Sequence, residues 1–257
     1  MAYQEKVKII RNEFVGERYF KLNFTSVNIA KTALPGQFVN IRVDASLVPL
    51  LRRPLSIHSV DGKTVMLLYE ALGKGTEILS QRRSGEYLDL IGPLGSGFTV
   101  TPSRTAILVA GGMGVAPLVF LAEKFQEGKP LVLIGAKTTK QILCVNEFKK
   151  IGCEVKVATD DGSSGFKGKV TDLLRKMLKR TTDNGQRTTI YACGPKPMLN
   201  AVSGIAKANN IPAQVSLEEH MACGIGACLG CVLDTTKGMK RVCKEGPVFK
   251  AEEIIWR

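Results

Sequence analysis

The sequence predicts an antiparallel β-barrel, then a doubly wound parallel α/β domain, then a small cysteine-rich C-terminal domain. Three observations carry this reading. Residues 1–100 hold short runs rich in β-branched and aromatic residues, separated by turn signals. Residues 101–213 alternate near-continuous apolar runs with helical patterns, the signature of a parallel sheet covered on both faces. Residues 214–257 are rich in Cys and Gly and too short to form a core unaided.

In the first region the runs are VKII, YFKLNF, QFVNIRV, LSIHSV, TVMLLY and EYLDLIG, with no helical period between them. Breaks fall at Pro35-Gly36, Asp61-Gly62 and Gly73 to Gly75, and Gly92 to Phe98 reads as a turn between domains. Strands without helices point to a closed antiparallel barrel. In the second region TAILVAG, PLVLIGA, EVKVATDD and TTIYACG read as strands. PLVFLAEKFQ, NEFKKIG, VTDLLRKMLKR and KPMLNAVSGIAKANN read as the intervening helices.

Composition bounds the class. The 257 residues are 44% hydrophobic and 23% charged, ordinary for a globular protein. No apolar run approaches the roughly eighteen residues of a membrane span. The N-terminus, MAYQEKVKII, lacks the basic-then-apolar layout of a secretory signal, so the expected location is the cytoplasm, with no membrane association. The net charge is +13, but Lys and Arg are dispersed and no basic run is interleaved with aromatics. Charge without a motif argues against nucleic acid and for anionic cofactors or a protein docking face.

Of the seven cysteines, four lie within the C-terminal segment. Cys144 and Cys153 read as small core-filling residues. Cys223, Cys228 and Cys231 follow the spacing C-x4-C-x2-C, and Cys243 comes after eleven intervening residues. This is the plant-type spacing for a [2Fe–2S] cluster. A loop bearing Cys223 and Cys228 curls over one side, while Cys231 and Cys243 close the other. Gly224, Gly226 and Gly230 let backbone N–H groups approach the sulfides. The alternative is structural zinc, which four Cys also hold, although zinc sites usually pair two C-x2-C knuckles and only one is present.

Two loops lie at carboxyl ends of predicted parallel strands, where open sheets bind ligands. Gly111, Gly112, Gly114 and Pro117 belong to a glycine-rich strand-to-helix turn, with Pro117 expected at the first helical position. The string is not G-x-G-x-x-G, so alone it does not separate a nucleotide site from a tight turn. Cys193 and Gly194 form the second loop, and the pair together point to nucleotide binding. In the barrel, Arg53, Pro54, Leu55 and Ser56 begin a strand, offering a guanidinium fork and a hydroxyl to an anionic ligand. Gly75 and Thr76 offer backbone N–H groups and a hydroxyl to the same kind of ligand. Asp160 and Asp161 follow the third strand. Acidic residues there disfavour a ribose 2′-phosphate and fit NAD over NADP, although a solvated Asp-Asp-Gly turn explains them equally. Neither His58 nor His220 is assigned a role.

Arg-Pro-Leu-Ser at 53–56, Gly-x-Gly-Thr at 73–76, Gly-Gly-Met-Gly-Val-Ala-Pro at 111–117 and Cys-Gly-Pro at 193–195 occur in the order of the ferredoxin–NADP reductase superfamily, which the whole chain resembles. The tail from Glu218 to Cys231, with Val242 to Phe249, is similar to one branch, the electron-transfer subunits of NAD-linked (type B) dihydroorotate dehydrogenase. The resemblance implies an FAD-binding barrel, an NAD(H)-binding middle domain and a C-terminal [2Fe–2S] domain. It implies that Arg53 and Ser56 contact the flavin and its phosphates, that Gly75 and Thr76 hold the pyrophosphate, and that Leu68 and Tyr69 face the ring. It also implies that the 111–117 turn shapes the nicotinamide site beside Cys193 and Gly194. The implied partner is an FMN-containing catalytic subunit that oxidises dihydroorotate in pyrimidine biosynthesis, in a heterotetramer, with no residue of this chain acting on that substrate. Ile225, Leu229 and Met221 are the candidate docking residues. The alternatives are a reductase subunit serving a ferredoxin, a hydrogenase or a sulfide-linked system, and a non-enzymatic zinc-stapled nucleotide-binding module.

Overall fold

A computed structural model of the chain describes residues 1–101, 105–126, 128–179 and 188–256. The N-terminal half contains β1 (Tyr3–Gly16), β2 (Tyr19–Thr25), β3 (Phe38–Arg42), β4 (Arg53–Asp61), β5 (Thr64–Glu70) and β6 (Tyr87–Leu94). They close into an antiparallel barrel in the order β1-β2-β5-β4-β3-β6. Alternate side chains such as Val39 and Ile41, or Val65, Leu67 and Tyr69, turn inward to one core. All six predicted strands are present. Two short helices, α1 (Val27–Thr32) and α2 (Lys74–Ser80), were not legible, because six or seven residues make under two turns and show no period. Ser26 caps α1, its hydroxyl accepting from the Ile29 N–H at 3.1 Å.

The second half is built from β7 (Thr105–Gly111), α3 (Val115–Glu123), β8 (Leu131–Ala136), α4 (Val145–Ile151), β9 (Glu154–Thr159), β10 (Phe166–Lys167), α5 (Val170–Leu178), β11 (Thr188–Cys193), α6 (Lys196–Ala208) and β12 (Ala213–Ser216). The helix read as far as Arg180 ends at Leu178, and Arg180 lies outside the described residues. The C-terminal segment adds β13 (Val232–Thr235), β14 (Gly238–Arg241) and β15 (Val248–Lys250). The sheet order is β10-β9-β8-β7-β11-β12-β15, parallel except for β15, which runs antiparallel to β12. The cut placed between residues 213 and 214 therefore falls inside β12. The cysteine-rich segment shares the middle domain's sheet, because it cannot build a core of its own. It also pins the Gly92–Phe98 turn, where the Ser96 N–H donates to the Gly246 carbonyl.

The two halves meet through α3. Every residue of that helix except Glu123 is buried, so it has no solvent face. One side packs on the sheet, and Phe120 on the other enters the barrel core. Among the described residues no helix is long and apolar enough to cross a membrane. Phe120→Ala would leave a cavity at the junction of the halves. It is expected to cost about 3–5 kcal/mol of stability, measured by chemical denaturation; a loss below about 1 kcal/mol would mean that the halves do not depend on this contact.

Candidate functional site

The barrel is closed but carries a gap. Arg53 to Ser56 of β4 pair with β3, through Ile41↔Arg53, Asn40↔Pro54, Val39↔Leu55 and Phe38↔Ser56. On its other edge β4 pairs with β5 only from Ile57↔Leu67 onward. The backbone edges of Arg53–Ser56 and Leu68–Glu70 are thus two unpaired lips, whose free N–H and C=O groups need partners. The predicted flavin residues lie on these lips. Arg53, Pro54, Leu55 and Ser56 are all half-buried along the first.

The lips also correct the expectation for Leu68 and Tyr69. Side chains alternate along β5, so the neighbours face opposite ways. Leu68 packs with Val115 and Phe98 toward the second half. Tyr69 turns into the barrel, stacks on Phe20 at 5.6 Å and donates its hydroxyl to Asn12 Oδ1 at 3.1 Å. Its ring cannot reach a ligand at the lip, which leaves only its backbone there.

At the end of the gap stands α2. An added Cβ on Gly75 would lie 2.2 Å from Arg53 Nε, so the glycine makes room for the guanidinium. Arg53 Nη1 donates to the Leu51 carbonyl at 2.6 Å, which aims the fork across the first turn of α2. The Thr76 hydroxyl is already used. It accepts from the Leu72 and Gly73 N–H groups at 3.0 and 3.3 Å and donates to the Gly73 carbonyl at 3.1 Å. Thr76 therefore offers a ligand its backbone rather than the hydroxyl expected from sequence.

In the sheet crevice, the two glycine-bearing loops are pressed together. A Cβ on Gly114 would lie 2.0 Å from the Cys193 carbonyl oxygen, and one on Gly111 would lie 2.6 Å from Met198 Sδ. These glycines serve loop-to-loop packing. Gly112 differs: its φ is +52 and nothing lies within 4 Å of an added Cβ, so its backbone faces open space where a ligand can approach. Pro117 is the third residue of α3, because a 3₁₀ turn at Gly112–Gly114 starts the helix earlier than read. The position still lies in the first turn, where a missing N–H costs nothing. Cys193 is buried, and burial pushes its thiol up, so it stays neutral. Asp161 is spent locally, accepting from the Ser163 N–H at 2.9 Å and hydroxyl at 2.6 Å. Asp160 is exposed just beyond β9.

The four C-terminal cysteines form two pairs. The Cys228 N–H donates to Cys223 Sγ at 3.4 Å, and the Cys243 N–H donates to Cys231 Sγ at 3.4 Å. Burial opposes ionisation of Cys223, yet N–H groups of Cys228, Ile225 and Ala227 bring its thiol down to about 6. Cys243 is pushed up to about 12 by burial and by the neighbouring Cys231 sulfur. Such a pair loses its protons on binding a metal. Among the described residues, the one trio of His, Cys, Asp or Glu ligand atoms lying within 4.8 Å of each other is His58, Cys144 and Glu147. The four sulfurs are therefore not gathered around one point, as tetrahedral zinc with Zn–S of about 2.3 Å requires. Two pairs fit two irons. Gly224 and Gly226 have φ of +71 and +85 and abut Asn40 and Lys244, so glycine is needed there. Gly230 has no such need; its N–H donates to Cys228 Sγ at 3.5 Å.

This loop is docked on the barrel. Asn40 Nδ2 donates to the Cys223 carbonyl at 3.1 Å, and Asn40 faces Pro54 across the β3–β4 pair. Asn40 carried no motif, and only the fold brings it to the cysteines. Ile225 and Leu229 beside them are 51% and 62% exposed, whereas Met221 packs against the core.

Comparison with known proteins agrees with this geometry. Residues 218–255 match the iron-sulfur cluster binding domain of dihydroorotate dehydrogenase B, and residues 108–204 match the oxidoreductase NAD-binding domain. A Desulforamulus reducens protein named dihydroorotate dehydrogenase B (NAD(+)), electron transfer subunit, is 41% identical and aligns over 97% of each chain. Its namesake in Caldanaerobacter subterraneus subsp. tengcongensis is 37% identical over 100% of both chains. A solved NADH-dependent reduced ferredoxin-NADP oxidoreductase, described in connection with flavin-based electron bifurcation, superposes with a TM-score of 0.86 at 30% identity, covering 100% of this chain and 92% of its own. The ferredoxin reductase of carbazole 1,9a-dioxygenase shares the fold, with a TM-score of 0.69 at 18% identity over 82% of this chain and 67% of its own.

Two outcomes are expected. Arg53→Ala removes a charge-assisted fork of order 1.5–3 kcal/mol and should weaken FAD retention about ten-fold or more by titration. Unchanged affinity would move that role to another residue, Arg52 first. Replacing Cys223, Cys228, Cys231 or Cys243 by Ala should lower bound iron while leaving FAD in the barrel; two irons per chain in all four variants would refute the ligand set.

Proposed function

This chain belongs to the family of electron-transfer subunits of NAD-linked dihydroorotate dehydrogenase B, and from that premise we propose how its residues divide the work. The chain is an oxidoreductase subunit carrying electrons between a dihydroorotate-oxidising partner and NAD⁺, with FAD, a [2Fe–2S] cluster and NAD(H) as its cofactors. Bound FAD supplies the exchange between one-electron and two-electron traffic. Arg53 and Ser56 hold the flavin and its phosphates on one lip of the barrel gap, with the backbone of Leu68 and Tyr69 on the other. Gly75 and the Thr76 backbone close the end against the pyrophosphate. Gly111, Gly112, Gly114 and Pro117 shape the nicotinamide site, with Gly112 in direct approach and Cys193 and Gly194 as the facing wall. Cys223 with Cys228 holds one iron, and Cys231 with Cys243 holds the other.

A single observation carries this assignment: the Asn40–Cys223 contact. It supports the reading because Asn40, which holds the cysteine loop, pairs with Pro54 of the Arg53–Ser56 segment, so a cluster and a flavin held by these residues would be neighbours. No residue of this chain acts on dihydroorotate; that chemistry belongs to the FMN-containing catalytic subunit, joined in a cytoplasmic heterotetramer. The partner must reach the cluster, so Ile225 and Leu229 lie at the interface. Leu47 and Leu50, 74% and 72% exposed on the β3–β4 loop beside Arg52, extend it. Obligate assemblies use large apolar contacts of this kind, while the net charge of +13 would act chiefly on the rate of encounter. Asp160 is left as the residue favouring NAD over NADP.

The chain expressed alone is expected to reduce artificial acceptors with NADH but to give no dihydroorotate-dependent reduction of NAD⁺ until the catalytic subunit is added. Dihydroorotate oxidation by the lone chain would overturn this division. Failure of the mixed complex to link the two substrates would favour a reductase for another partner.

A further inference from the structure

His58 lies in β4 two residues beyond Ser56, is 0% exposed and has no part in the reading above. Both of its ring nitrogens are bonded across the boundary between the halves. Nδ1 lies 2.9 Å from the carbonyl of Ala116, in the first turn of α3. Nε2 lies 2.7 Å from one carboxylate oxygen of Glu147 in α4, and the other oxygen receives Lys21 Nζ of β2 at 2.6 Å. A carbonyl can only accept, so Nδ1 carries a proton. Burial pushes the Glu147 carboxyl up, but hydrogen bonds and charge from His58 and Lys21 outweigh it and bring it down to about 2. Nε2 faces the Glu147 carboxylate, so one buried ring bridges a carbonyl and a carboxylate of the other half.

Cys144 completes a trio with His58 and Glu147, their ligand atoms all within 4.8 Å of each other. A metal ion is nevertheless disfavoured. Lys21 Nζ and His58 Nε2 already occupy the two carboxylate oxygens, and Nδ1 is bound to the Ala116 carbonyl, so ring and carboxylate are both committed. The arrangement is a clamp: two barrel side chains meet one carboxylate and one carbonyl of the nucleotide half.

We propose that His58 is a positioning residue for hydride transfer, keying the strand that bears the flavin lip to the helix turn that follows the nucleotide loop. The inference rests on the functional reading above. Apolar packing such as that of Phe120 resists separation of the halves but tolerates sliding, because it is non-directional. Two hydrogen bonds made by one rigid ring are directional. Arg53–Ser56 and His58 share β4, and Gly111–Gly114 leads directly to Ala116, so a shift at the clamp is a shift between the two sites. A displacement of about 1 Å between reacting groups can cost on the order of 100-fold in rate.

The test uses the complete complex with its catalytic subunit, comparing wild type, His58→Gln, Glu147→Gln and the double variant. Rapid-mixing kinetics would follow flavin reduction by NADH, with and without deuterium at the transferred position. The same preparations give FAD content, iron and zinc content, melting temperature and the rate of electron delivery from dihydroorotate. His58→Gln is expected to slow flavin reduction by NADH about ten- to a hundred-fold and to change its isotope effect, with FAD and iron retained and delivery from dihydroorotate unchanged. Glu147→Gln keeps the side chain's shape and should slow the same step less. The double variant should be no slower than His58→Gln, because the residues act as one unit. Unimpaired hydride transfer in both single variants would overturn the proposal. So would a slowing of both half-reactions that tracks loss of FAD or melting temperature, and so would one zinc per chain that is lost in His58→Gln. A wild-type complex whose flavin NADH does not reduce would instead refute the nucleotide-site assignment itself.

Discussion

A helix without a polar face is the constraint on which the molecule depends. α3 is buried from Val115 to Ala122, and no single layer can cover a cylinder on all sides. The sheet takes one side through Leu118, Val119 and Ala122, and the barrel takes Phe120. The two halves are thereby obliged to meet at the helix that begins where the glycine-rich loop ends. A redox protein that passes hydride between two bound cofactors needs the sites built from different halves to hold a common geometry. Here the burial of one nine-residue helix supplies the contact, and the bonds of His58 give it direction.

The cluster segment solves a different problem. Residues beyond 216 have too few apolar side chains for a core, so they borrow two surfaces. β15 extends the sheet beside β12, and the Cys223 loop rests on Asn40 of the barrel. Between these anchors lie the two cysteine pairs, with backbone N–H groups aimed at their sulfurs. Arg241 braces the loop by donating to the Gly226 carbonyl at 2.7 Å while paired with Glu245, whose carboxyl that guanidinium holds at about 2. Anchoring on both halves sets the cysteine loop beside the strand that bears Arg53–Ser56 and leaves Cys228 and Leu229 exposed.

The barrel gap is unfinished structure. A completed β4–β5 ladder would consume the N–H and C=O groups of Arg53–Ser56 and Leu68–Glu70. Pairing instead starts at Ile57↔Leu67, which leaves those groups outside the β4–β5 ladder while the rest of the barrel stays closed.

Local chemistry made much of this legible in the sequence. Alternation and turn residues marked the six barrel strands, apolar runs marked the parallel sheet, and C-x4-C-x2-C marked the cluster, because each is set by spacing along the chain. The glycine-rich turns were likewise visible, and the structure gives Gly112 a positive φ and makes Gly75 the residue that admits the Arg53 side chain. Other features depend on which distant segments meet, and spacing carries no trace of that. The inward turn of Tyr69 follows from where the β4–β5 ladder begins. The packing role of Gly111 and Gly114 follows from the Cys193 loop lying against them, and the Thr76 hydroxyl is claimed by its own helix start. The last segment joins the middle sheet only because β12 offers it an edge. Asn40 and His58, ordinary residues within strands, acquire their roles from a loop 183 positions away and a helix 89 positions away, through hydrogen bonds that exist only once the halves have packed.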